Sequence, residues 1–191
     1  MITAEYARFS EESNALDYLE KAVEFIRRVD TNPTDWKWVI LSLHGALYGF
    51  MVCALKGTDP DRVAFKDKNG KRRLISFAKA LEWCQEPNRM NMTTESKALC
   101  LSDDQKRSLD VIQEHLRNAF AHYQPCLWSI ELHGMPGVVI DGLEVVRFLS
   151  LETGNYMHLT VEQCKHIETL VREGSDLLCH SRLFLEAQGR A

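Results

Sequence analysis

"WVILSLHGALYGFMVCAL", residues 38–55, decides the fold, because it reads either as a short membrane span or as the central helix of a packed bundle. It holds no Asp, Glu, Lys or Arg, and Lys37 and Lys56 bracket it. Crossing a hydrocarbon core takes about 20 apolar residues, so the segment is marginal in length. Ser42 and His44 lie near its middle, and no second segment of this kind occurs in the chain. We read it as a buried core helix and expect no membrane association. Gly45 and Gly49 share one face, where they let a neighbouring helix approach closely at about 1 kcal/mol each relative to alanine.

Working outward, Leu16, Leu19, Val23 and Ile26 recur at three- and four-residue steps and predict a helix over about 11–30. "TNPTDW" (31–36) breaks it, with Thr34 placed to cap the central helix. In "AFKDKNGKRRLI" (64–75), Asn69 and Gly70 between short alternating arms predict a two-residue β-hairpin. Its cations, Lys66, Lys68, Lys71, Arg72 and Arg73, read either as a solvated tip or as a patch that contacts RNA phosphates. A third helix follows over about 76–87 and stops at Pro87. Ser102 with Gln105 forms a capping box, with Asp103 and Asp104 in the first turn, and starts a helix that runs to about 123. "LWSIEL" (127–132) alternates like a short strand, and "VVIDGLEVVRFLSLE" (138–152) returns to helical spacing with Gly142 as a weak point. Thr160 with Gln163 is a second capping box, opening a last helix through about 187. The pattern predicts one domain over 1–191, an all-α helical bundle with a small β-hairpin and a short strand insertion.

An apolar share of 45% in 191 residues suffices for a sizeable core, and a net charge of -4 argues against a generic nucleic-acid coat. RNA contact therefore requires a local basic patch. The six cysteines include no Cys-x-x-Cys pair, and we expect buried free thiols in a reducing cytoplasm. The N-terminus has no basic stretch followed by an apolar run, so no secretory signal is expected. No ligand cluster for a metal and no cofactor motif is visible. Trp36, Trp38, Trp83 and Trp128 read as core anchors.

The helix over 102–123 ends in "LRNAFAHYQP" (116–125). Turned at about 100° per residue, Leu109, Ile112, Leu116, Ala119, Phe120 and Tyr123 form the core stripe, while Val111, His115, Asn118 and His122 fall within about 60° on another face. His122 there is either a favourable cation at a helix C-terminus or a functional group. Arg117 lies about 140° from it, with reach enough to share the same cleft. His44 in the central helix either lines that cleft or is a core histidine with a hydrogen-bond partner.

Arg117, Asn118 and His122 in "RNAFAH" resemble the signature of the HEPN superfamily: an arginine, a polar residue after it, and a histidine four to six positions beyond the arginine near a helix end. The stretch over about 102–152 is similar to one bacterial and plasmid-borne branch. The resemblance implies a HEPN-like bundle and a homodimer whose motif helices face each other. In active members it implies a metal-independent endoribonuclease without a cofactor, acting as a toxin or a phage-defence component. Arg117 would then stabilise the transition-state charge, His122 would move a proton, and Asn118 would orient. A non-catalytic HEPN dimer that binds nucleotide or a partner protein is the alternative. Partners implied are RNA and an antitoxin, including a nucleotidyltransferase. Members paired with that antitoxin carry a tyrosine two positions after the histidine, whereas Tyr123 follows His122 directly and position 124 is glutamine.

Overall fold

In the computed structural model, which describes residues 5–122, 127–155 and 157–189, the first helix starts where two serines satisfy each other's backbone. The Ser13 amide donates to Ser10 Oγ at 3.1 Å and the Ser10 amide to Ser13 Oγ at 2.8 Å. The helix α1 (Glu11–Ile26) buries Leu16, Leu19, Val23 and Ile26, the expected stripe, but ends at Ile26, where residues 27–30 turn back.

The quoted segment lies within α2 (Trp36–Lys56), which packs on α1 along its length. By length and composition α2 would suffice to cross a membrane, yet 67% of its apolar window is buried inside the fold, and residues 50–57 are buried without interruption. Thr34 does not cap it. A single 3-10 turn (Pro33–Asp35) leads directly into the helix, and the Thr34 hydroxyl donates instead to Asn32 Oδ1 at 2.8 Å.

The two glycines of α2 do set its approach to α1. A Cβ at Gly49 would lie 2.6 Å from the Ala15 Cβ and 3.1 Å from its Cα, whereas one at Gly45 would meet only the Tyr18 ring, which is 40% exposed. A backbone cannot yield as a surface ring can. Gly49→Ala is therefore expected to lose about 1–3 kcal/mol to overpacking, more than the gain of about 1 kcal/mol in helix propensity. Gly45→Ala should be neutral or stabilising. Urea denaturation of the two variants checks the ranking, and the reverse order would contradict this account of the contact.

After α2, strands β1 (Ala64–Lys66) and β2 (Arg72–Leu74) pair antiparallel with Phe65 opposite Arg73. The hairpin is as expected, but its turn is longer than two residues. The Asp67 amide donates to the Lys71 carbonyl at 2.9 Å and the Gly70 amide to the Asp67 carbonyl at 2.9 Å, while Gly70 takes φ +74°. This is a three-residue connection with glycine in the left-handed position. Asp67 Oδ1 holds it by accepting from the Asn69 and Lys71 amides, so the aspartate before the Asn-Gly pair selects the longer turn.

Helix α3 (Phe77–Cys84), capped by Ser76, stops short of the expected limit, and Pro87 opens a separate turn, α4 (Pro87–Met90), at the one helical position that needs no amide donor. The Ser102–Gln105 capping box is present and starts a long helix at Asp103. This motif helix comprises α5 (Asp103–Asp110), a π-helical stretch (Val111–Arg117) and α6 (Asn118–Ala121). Its expected end at Tyr123 lies outside the described residues.

Residues 127–132 form no strand. The hairpin is the one ladder among the described residues, and without a partner edge the alternation of "LWSIEL" is expressed as packing. Trp128, Ile130 and Leu132 point toward a shared cavity, with Trp128 tilted against Phe120 at 5.2 Å. Helix α7 (Met135–Arg147) continues into a π turn (Phe148–Glu152). Gly142 is no weak point: it is buried, and a Cβ there would sit 2.8 Å from Leu43 Cδ2 of α2. Helix α8 (Val161–Cys179) has the expected Thr160–Gln163 box but breaks before 187, because the Ser181 hydroxyl accepts from the Phe184 amide and starts α9 (Arg182–Gln188). Arg27–Glu173 and His166–Glu20 pairs, at 2.7 and 2.8 Å, tie α8 to α1.

The fold is thus helical with one two-stranded sheet, and its core gathers around α2. Cys53 and Cys84 are the buried thiols among the described residues, and burial pushes both up to about 12. Cys100 is exposed, Cys164 and Cys179 are half-buried, and Cys126 lies outside the described residues, so the expectation of buried thiols holds for two. Of the tryptophans, Trp36 is fully buried and Trp83 half-buried, whereas Trp38 and Trp128 are exposed.

Candidate functional site

The π stretch of the motif helix governs where its side chains go. Each π residue turns the helix by less than an α residue does, so a wheel drawn at about 100° per residue loses phase across Val111–Arg117. Leu109, Ile112 and Leu116 stay buried, but Val111, placed by the wheel on the polar face, packs half-buried against the core. Gln113 turns to α2, where its Oε1 meets His44 Nε2 at 2.5 Å.

Arg117, at the end of the stretch, is half-buried and lines an open groove of about 780 Å³. One wall is α1, with Asp17, Tyr18 and Phe25. The other is α2, with Trp38, His44 and Tyr48, and between the walls Tyr18 packs over Gly45 and Ala15 over Gly49. Ala121 closes the groove one helical turn beyond Arg117, and Leu74 of β2 borders it. The Tyr48 hydroxyl donates to the Ile75 carbonyl and so fixes the base of the hairpin at that border.

The geometry brings three of the candidate residues together. Arg117 Nη1 donates to Asn118 Oδ1 at 3.1 Å, and Asn118 Nδ2 reaches back to the Glu114 carbonyl at 3.5 Å. His44 shares the groove with Arg117, and it has the hydrogen-bond partner expected of a core histidine. Its ring also stacks on Phe77, with centroids 4.6 Å apart. Burial pushes the imidazole below the usual histidine range, the Arg117 charge adds to this, and the Gln113 hydrogen bond opposes it.

His122 is not in that groove. It follows Ala121 at the point where the backbone leaves the helix, with φ -110° and ψ 115°, and its side chain is exposed. Its amide closes the last turn on the Asn118 carbonyl at 3.0 Å.

The hairpin cations divide into two sets. Arg72 pairs with Asp61 at 2.7 Å and Arg73 with Asp67 at 3.0 Å. Lys66, Lys68 and Lys71 are exposed and have no carboxylate within 4 Å among the described residues. Among the described residues no group of three or more His, Cys, Asp and Glu side chains is placed to hold a metal ion.

Sequence reasoning missed Gln113 and the walls from α1. Nothing in the local sequence marks Gln113, since its role depends on the phase change, and Tyr18 reads as one residue of an amphipathic helix until α2 is laid beside it. No family model, curated protein or solved structure matches this chain.

Proposed function

We propose that this chain is a metal-independent endoribonuclease of HEPN type, working as a cytoplasmic homodimer and serving as a toxin or phage-defence component. The observation that carries the reading is Arg117: a guanidinium held by Asn118 at the wall of an open groove, beside a second titratable side chain. Arginine there suits the charge that develops on a phosphorane-like transition state, and a histidine near neutral pKa suits proton transfer to or from the ribose. An antitoxin, including one of nucleotidyltransferase type, is the partner that this role requires. Purified protein in EDTA is expected to cut RNA and leave 2',3'-cyclic phosphate ends, because the 2'-hydroxyl is the nucleophile. Failure of the partner-free wild type to cut any RNA would sink the reading.

The exposed position of His122 favours a second reading, a non-catalytic HEPN dimer that binds nucleotide or a partner protein. Binding of RNA or nucleotide without cleavage would select it.

The hairpin belongs to the RNA path in the first reading, since Leu74 borders the groove and three lysines of the same hairpin have no carboxylate partner among the described residues. Replacing Lys66, Lys68 and Lys71 together should flatten the slope of log affinity against log salt by about 0.7 for each single-strand phosphate that the variant no longer neutralises. Arg72 and Arg73, already paired, should contribute less. An unchanged slope in the triple variant would leave the hairpin a solvated tip.

A further inference from the structure

We propose that His44 is the general base of the site, taking the proton from the RNA 2'-hydroxyl, while His122 of the second copy in the proposed homodimer protonates the departing 5'-oxygen. This rests on the ribonuclease reading and assigns within it a residue from α2, outside the motif.

The geometry fixes the ring on two sides. Gln113 Oε1 can only accept, so at 2.5 Å it holds the hydrogen on His44 Nε2 and leaves Nδ1 as the basic atom. Phe77 stacks on the face at 4.6 Å and stops the ring from tilting. Both His44 and Arg117 line the groove, so a phosphodiester held by the guanidinium lies beside the imidazole.

A base must be unprotonated when substrate arrives. Burial and the Arg117 charge both favour neutral His44 at pH 7. The other charged or titratable groups facing the groove do little to reverse this. Glu11 is committed to Lys56 at 3.3 Å and Lys21 to Glu24 at 2.8 Å, the Tyr48 hydroxyl donates to the Ile75 carbonyl, and Asp17 is the one further carboxylate among the described residues that line the groove.

The step balances. The 2'-O–H proton passes to His44 Nδ1 as the 2'-oxygen bonds to phosphorus, the P–O5' bond breaks, and the 5'-oxygen takes its proton from the second copy's His122. The products are a 2',3'-cyclic phosphate and a 5'-hydroxyl, with one proton moved from His122 to His44 overall.

The test is His44→Gln, which keeps a donor for Gln113 and removes the base. Cleavage of a defined oligoribonucleotide at pH 7 should fall by about a hundredfold or more while the thermal melt is retained. The wild-type kcat/KM profile should fall on its acid side with a midpoint below about 6.5, and His44→Gln should lose that limb. A merely structural role would leave the limb in place. Comparable cleavage by His44→Gln with the acid limb intact overturns the proposal alone, whereas an inactive wild type takes down the ribonuclease reading with it. Should His44→Gln fail to fold, the His44 Cε1–H resonance of the wild type, followed by NMR against pH, must share its midpoint with the acid limb. A mismatch of about one pH unit or more overturns the assignment.

Discussion

His122→Ala is expected to remove RNA cleavage by about a hundred- to ten-thousand-fold while leaving the fold intact. The side chain is exposed at the last turn of the motif helix, and the helix-closing bond there is made by its backbone amide, which alanine retains. Surface changes of this kind cost within about 0.5 kcal/mol. Arg117→Ala should lose activity comparably, because no other cation among the described residues of the motif helix lines the groove. Asn118→Ala should lose less, since it removes only the 3.1 Å bond that orients the guanidinium. Initial rates in EDTA, with circular-dichroism melts alongside, measure all three. If His122→Ala cuts as fast as the wild type, the motif has named the wrong residue.

Phe50→Ala should have the largest effect on stability. Phe50 is fully buried on α2, in the run of residues 50–57 that is buried without interruption, and it does not line the groove. Truncation removes the ring's transfer energy and leaves a cavity that the surrounding helices close only in part, at about 3–5 kcal/mol. For a chain of this size that lowers the melting temperature by about 6–20 °C. Below the new transition, cleavage per folded molecule should be unchanged. A loss under about 1 kcal/mol would show that the core around α2 collapses onto the vacancy.

Much of the fold was legible because its signals are local. Capping boxes span only four residues each, and those at Ser102 and Thr160 stand where the sequence places them. The glycine spacing in α2 reported a close helix approach correctly, since a missing Cβ has the same meaning in any packing. Errors arose where a third party decided. Asp67 lengthened the turn around Asn69 and Gly70, Ser181 interrupted an otherwise periodic helix, and "LWSIEL" lacked a strand to pair with. Of the candidate site, only the placing of some side chains was legible. Arg117 and Asn118 were placed together, but the π stretch shifted the phase on which the His122 face was drawn, and no sequence period reports a single wide turn.

The His44–Gln113 bond has a consequence for the order in which the molecule is made. α1 and α2 are neighbours along the chain as well as in space, whereas His44 and Gln113 are 69 residues apart. Closing the shorter loop costs less entropy, so the α1–α2 pair is the early contact and docking of the motif helix the late one. On the ribosome the order is the same, for α1 and α2 emerge while Gln113 and Arg117 are still untranslated. A nascent chain can therefore assemble its central helix pair before the groove holds its arginine. The fixed imidazole and the arginine beside it come into being together, when the motif helix seats on the central pair.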